Sequence, residues 1–103
     1  MASRMYILVK DTITTGFATV SAAHASLCAY LQYSDLPEFC EWLENSFRKV
    51  VCRVTEEEFE QAKKEDLQYV IVSESNQDLG EVAIAFVPTD KPSRFLRSLR
   101  LYE

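Results

Sequence analysis

Four runs of mainly apolar residues, at positions 5–9, 47–54, 69–72 and 81–87, are separated by polar and turn-forming stretches. Short runs rich in Val, Ile, Tyr and Phe are typical of β-strands. The first and the fourth are the most apolar, and a strand covered on both faces has this continuous pattern. We therefore predict a sheet with these two strands at its centre.

The segment from position 17 to about 33 has helical periodicity instead. Its apolar residues recur at three- and four-residue spacing, and such a stripe is expected to face the core of the protein. The stripe comprises Phe17, Val20, His24, Leu27, Cys28 and Leu31. A second helix is predicted after Ser34 and Asp35, where Glu38 completes a capping box with Asp35.

Two further helices are predicted in the second half of the chain. Thr55 and Glu58 form a capping box ahead of a helix whose apolar face is thin, so we expect it on the surface. A short last helix is predicted to begin at 90–92. The element order is then βααβαββα, which predicts an α/β fold: a three-layer α/β/α arrangement with a mixed, mostly parallel sheet of about four strands. The 103 residues form a single domain, 1–103.

Composition and charge restrict the function classes. No apolar run approaches the ~20 residues that cross a bilayer, and no signal-peptide pattern follows Met1, so we expect a cytoplasmic protein without a membrane partner. The three cysteines have no close pair, which favours buried free thiols and argues against a metal site. Two glycines and no phosphate-binding motif argue against a nucleotide cofactor. The net charge of −5 counts against strong nucleic-acid binding.

His24 is the only histidine of the chain and lies on the apolar stripe. Such a residue is either a core histidine that is hydrogen-bonded to backbone or a catalytic group beside a pocket. Composition and spacing do not choose between these two interpretations.

The start of the same helix is a candidate anion-binding site. Lys10 ends the first strand, and Thr14, Thr15 and Gly16 lie at the helix start, where unpaired N–H groups can hold a phosphate or a carboxylate. The alternative is that Thr14 or Thr15 caps the helix and holds no ligand. Near the C-terminus Lys91, Arg94, Arg97 and Arg100 are either a solvated surface or a weak site for an acidic partner.

A family resemblance adds to these patterns. Residues 6–11, a short loop, Gly16, and His24 eight residues later resemble the start of type II peptidyl-tRNA hydrolases. Segments 42–45, 49–54 and 82–88 resemble that family's later core in the same order, although there mainly by pattern. The family hydrolyses the ester between a peptide and the ribose of tRNA. The resemblance implies the family's fold, tRNA as a partner, and His24 in the catalytic site.

The resemblance also indicates where this chain departs from the family. A lysine follows the family's glycine, and a glutamine precedes its histidine by three positions; here these residues are Phe17 and Ser21. The family's aspartate after the third strand aligns best with Ser73, with Glu74 beside it. His24, Ser21 and Glu74 are thus the catalytic candidates.

Three functions remain open at this stage. The first is a divergent hydrolase that acts on peptidyl-tRNA or on a smaller ester or amide. The second is a non-catalytic domain that uses the same cleft to bind a protein or a small anionic ligand. The third, a nucleic-acid module that uses the C-terminal arginines, ranks last. A homodimer is a further expectation, although the sequence does not identify the face that would form it.

Overall fold

The computed structural model describes residues 2–75 and 78–103. Within them the chain forms an α/β domain of four strands and four helices in the predicted order. The strands are β1 (Arg4–Lys10), β2 (Arg48–Val54), β3 (Tyr69–Glu74) and β4 (Gly80–Phe86). The helices are α1 (Thr15–Tyr33), α2 (Pro37–Asn45), α3 (Glu56–Ala62) and α4 (Arg94–Ser98).

The strands form one mixed sheet in the order β2-β1-β4-β3, with the first and the fourth strand at the centre as predicted. β1 and β2 are parallel, whereas β4 is antiparallel to both β1 and β3. The expectation of a mostly parallel sheet is therefore wrong, because two of the three described strand pairs are antiparallel. β4 follows β3 within a few residues, and so short a connection cannot make the crossover that parallel neighbours need.

Buried side chains form two clusters, which share β1 through alternate residues. Since neighbouring residues of a strand point to opposite faces, β1 is buried on both faces. One cluster includes Met5, Ile7 and Val9 of β1, Ala25 of α1, and Phe39 and Trp42 of α2. The other includes Tyr6 and Leu8 of β1, Phe59 of α3, and Leu96 of α4.

The small residues of α1 pack against the sheet. Ala18, Ser21, Ala25 and Ala29 are at most 4% exposed, and their short side chains let the helix lie close to the strands. The stripe that was predicted to face the core lies on the other side. Its members Val20, Leu27 and Leu31 are 47%, 56% and 70% exposed, and His24 and Cys28 are exposed as well. The prediction was wrong because both faces of α1 are uncharged, so large apolar residues alone did not identify the buried one.

The helix starts agree with the predicted caps at α3 but not at α2. The hydroxyl oxygen of Thr55 accepts a hydrogen bond from the Glu58 N–H, and the Glu58 carboxylate accepts one from the Thr55 N–H. At α2 the N-cap residue is Leu36, which makes no side-chain cap, and the helix begins at Pro37. The predicted capping box of Asp35 with Glu38 is therefore wrong, and Ser34 is the C-cap of α1. Proline suits the first helical position because its missing N–H would have no partner there.

α3 lies on the surface, as its thin apolar face predicted. Phe59 and Ala62 of that face are fully buried, whereas Glu57 and Glu60 are exposed. The polar stretch 73–80, which separates the third and the fourth apolar run, is partly strand: β3 continues through a register shift after Val72 to Glu74, and β4 begins at Gly80. Positions 76 and 77 of that stretch lie outside the described residues. No helix in the described part of the chain is long and apolar enough to cross a membrane.

Candidate ligand-binding site

The predicted anion-binding residues lie near the edge of the sheet where β1 ends. Thr14 is the N-cap of α1, and its hydroxyl oxygen accepts a long hydrogen bond of 3.5 Å from the Phe17 N–H. The Thr15 carbonyl accepts a bond of 2.8 Å from the Thr19 hydroxyl. Thr14 therefore has the capping role that was one of the two interpretations of this segment.

Lys10 points away from α1. Its Nζ lies 3.2 Å from a carboxylate oxygen of Glu56 and 4.6 Å from the ring centroid of Phe59 in α3. Val9 belongs to the cluster beneath α1, so the next side chain along the strand faces the opposite side of the sheet. The structure does not bring Lys10 together with the other residues of the predicted anion site.

Gly16 is exposed in the first turn of α1 and lies outside the left-handed region of backbone conformation. A Cβ atom built at this position meets nothing within 4 Å. The fold therefore does not require glycine at position 16, which carries part of the family resemblance.

His24 and Ser21 are three residues apart on α1 but lie in opposite environments. Ser21 is 1% exposed and faces the sheet, whereas His24 is exposed on the outer face. Within residues 2–75 and 78–103 no hydrogen bond or ion pair holds the His24 imidazole. A histidine that acts as a general base is normally oriented by a partner, and this one has no such support.

Glu74, the third catalytic candidate, ends β3 and lines an open groove of about 390 Å³ together with Ser73, Ser75, Asp78 and Gly80. Because β4 separates β3 from β1, Glu74 lies two strands, roughly 10 Å, from the end of β1. The three candidates thus occupy a buried helix face, an exposed helix face and a distant edge of the sheet. The structure does not bring them together.

A cleft of about 280 Å³ lies between α1 and the edge strand β2. Its lining is mainly apolar and comes from both elements and from the C-terminal residues: Ala18, Thr19, Ala22, Val51 and Tyr102. The C-terminal residues run beside β2, where the Tyr102 N–H donates to the Val51 carbonyl and the Arg53 N–H donates to the Arg100 carbonyl, each at 2.9 Å. The tail therefore places the Tyr102 ring as one wall of the cleft.

Arg53 adds a cation beside this cleft. It lies two residues after Val51 in β2, so both side chains point to the face of the sheet that carries α1. The guanidinium carbon lies 5.4 Å from the ring centroid of Tyr102. Its Nε is buried and has no hydrogen-bond partner among the described residues. Arg53 was not among the site residues predicted from the sequence, and its position two residues after an inward-facing Val51 was the signal for this role.

The neighbouring charges do not neutralise Arg53. Asp11, near the end of β1, instead lies 3.8 Å from a guanidinium nitrogen of Arg100. Among the described residues no carboxylate forms an ion pair with Arg53. The apolar cleft thus has an unpaired guanidinium beside it, an arrangement that can hold an apolar molecule with one negative group.

The cysteines and the C-terminal basic residues lie apart from the cleft. Cys52 is buried on the opposite face of the sheet, and burial, with the negative charge of Glu58, raises the pKa of its thiol to about 11, so it is no nucleophile at neutral pH. Cys28 and Cys40 are exposed, which corrects the expectation of buried thiols. The basic residues Lys91, Arg94, Arg97 and Arg100 are all exposed.

The chain matches no protein-family model and no curated protein sequence.

Proposed function

We propose that this chain is a divergent member of the type II peptidyl-tRNA hydrolase family, with a three-layer α/β/α arrangement, that binds a small carboxylate ligand and does not hydrolyse peptidyl-tRNA. The ancestry is supported by the order of elements and by the resemblance around Gly16 and His24. The binding function is supported by the cleft between α1 and β2.

The observation that carries the proposal is the unpaired Arg53 guanidinium beside an apolar cleft. A buried N–H group without a partner costs free energy, and a partly buried cation costs more unless an anion compensates it. A carboxylate can accept hydrogen bonds from Nε and a terminal nitrogen of one guanidinium at once. The unpaired Nε of Arg53 is therefore the donor that a bound carboxylate would satisfy, after a small displacement of the side chains that bury it.

The size and the lining of the cleft indicate the rest of the ligand. Binding pockets for small molecules span ~300–1,000 Å³, and this cleft of about 280 Å³ lies at the lower end. Ala22 and Val51 present only apolar atoms, and Tyr102 presents an aromatic ring. An aliphatic or aromatic monocarboxylate fits these walls better than a sugar or a nucleotide does.

The arrangement around His24 favours binding over hydrolysis. Ester hydrolysis needs a positioned base and donors directed at the developing oxyanion. His24 faces solvent, Ser21 faces the sheet, and Phe17 stands where the family has a lysine. Losing one preorganised donor costs ~10²–10³ in rate. In this chain His24, the candidate base, also lacks an orienting partner among the described residues.

Binding can be tested by following amide resonances of the ¹⁵N-labelled chain during titration with phenylacetate and hexanoate. The matched probes are the neutral amides of the same two acids. We expect saturable shifts at Ala22, Val51 and Tyr102 with the acids and at least tenfold weaker binding of the amides. Because a hydrogen bond to a charged group contributes ~1.5–3 kcal/mol, Arg53→Gln should weaken acid binding by roughly 10- to 100-fold.

Arg48→Gln is the control, because Arg48 lies in the same strand but is exposed. It should leave the affinity unchanged. Equal binding of acids and amides, or an Arg53→Gln variant that binds as the native chain does, would refute the carboxylate site.

A further inference from the structure

The outer face of α1 is uncharged and apolar although α1 is a surface helix. None of the chain's 11 basic or 16 acidic residues lies between Thr15 and Tyr33. Among the described residues six large apolar side chains are exposed, and four of them are on α1: Val20, Leu27, Tyr30 and Leu31. A surface helix normally carries charged residues on its solvent side. This face therefore has the composition of an interface core.

The outward residues also have a specific spacing. Positions 17, 20, 24, 27 and 31 follow a 3-4-3-4 pattern, which is typical of the seam of a two-stranded coiled coil. Phe17 is half-buried, and the other four are exposed. We call these five positions the outer seam. The inner face is occupied separately by Ala18, Ser21, Ala25 and Ala29. α1 thus has two faces for packing, and the domain itself uses only the inner one.

We propose that two copies of this chain pair through the outer seam of α1 to form a symmetric homodimer. Each chain has a net charge of −5, so two copies repel each other unless the surfaces that meet are uncharged. α1 offers such a surface along its whole length. A two-fold axis at His24, the middle of the seam, brings each copy's Phe17 and Val20 near the other copy's Leu31 and Leu27, and no opposite charge is needed on the partner.

The area available fits a weak dimer. The outer half of the α1 surface has an area of roughly 500 Å² per copy. This area follows from its 19 residues, a helical rise of about 1.5 Å per residue and a helix diameter of about 10–12 Å. Two copies then bury about 1,000 Å², which is the lower limit for a specific interface. We therefore expect a dissociation constant in the micromolar range. The polar His24 in the middle of the seam weakens the pairing, as polar residues at such positions do in coiled coils. The proposal rests on α1 alone and is independent of the cleft beside β2.

Sedimentation equilibrium of the full chain between 1 and 500 μM tests the proposal. The native chain should change from monomer to dimer across this range, and Leu27→Glu should remain monomeric, because it places two like charges in an apolar seam. Leu101→Glu is the matched control: Leu101 is 55% exposed against 56% for Leu27 but lies outside α1. It should dimerise as the native chain does. His24→Leu should tighten the dimer by at least tenfold.

Two results would overturn the proposal. One is a native chain that stays monomeric at 500 μM, which would leave the seam to a helix of another protein or to a membrane surface. The other is a dimer with the same dissociation constant in the native chain and in Leu27→Glu. Circular dichroism of each variant verifies that α1 is folded, which separates a lost interface from a lost fold.

Discussion

Ser21 faces the sheet and occupies the position where the type II peptidyl-tRNA hydrolase family has glutamine. The cost in stability of replacing it with glutamine can therefore be predicted. Ser21→Gln adds three heavy atoms to a side chain that is 1% exposed and packs among alanines against the sheet. Overpacking of a tight core costs ~1–3 kcal/mol, and burying an amide without partners costs a further ~1–3 kcal/mol. The variant should therefore be roughly 2–6 kcal/mol less stable than the native chain.

Urea unfolding followed by tryptophan fluorescence measures this difference. Trp42 is the only tryptophan and is 2% exposed, so its emission reports loss of the core. Ala23→Gln, an exposed position on the same helix, is the control and should change the free energy of unfolding by less than ~0.5 kcal/mol. Both are measured at 1 μM, where the chain is expected to be monomeric. Equal costs for Ser21→Gln and Ala23→Gln would refute the orientation of α1 on which the site assignment depends.

Four further variants test local features by the same unfolding measurement. Gly16→Ala should stabilise the chain by ~0.5–1 kcal/mol, because the position is helical and open, and a loss of stability would show that glycine is needed there. Thr55→Ala should cost ~1 kcal/mol and Thr14→Ala less, because the cap bond of Thr14 is 3.5 Å long and that of Thr55 is 3.1 Å; the reverse order would contradict this. Since burial raises the pKa of the Cys52 thiol from 9.0 to about 11, stability should be fully present below pH 9 and fall by up to ~3 kcal/mol as the pH rises to 11. Cys52→Ala should flatten that decline, and an unchanged slope would exclude the thiol as its cause.

The element order and the central strands could be predicted because they depend on local patterns. The apolar runs of β1 and β4, the Thr55 capping box and the long helix α1 each follow from a few neighbouring residues. Strand direction depends on how the chain connects. The polar stretch 73–80 is too short for a parallel crossover, but its length alone did not show that β3 and β4 pair directly.

The main error of the sequence-based prediction was the choice of the buried face of α1. This error also affected the expected positions of the candidate site residues. Large apolar residues were taken as the buried side, but alanines and Ser21 pack closer to a sheet than leucines do. His24 was therefore expected either in the core or beside a pocket, and it is in fact exposed. The cleft itself was missed because Arg53 and Tyr102 are 49 residues apart and meet only when the C-terminal residues lie beside β2.

The claim that this chain binds without catalysing is tested most directly by its activity on the family's substrate. Purified chain at 10 μM is incubated with an N-acetylated aminoacyl-tRNA, and release of the acyl group is followed in parallel with buffer and with His24→Ala. The account predicts the buffer rate for both proteins. Release above the buffer rate by the native chain, abolished by His24→Ala, would contradict it and would make the exposed imidazole of α1 a catalytic group.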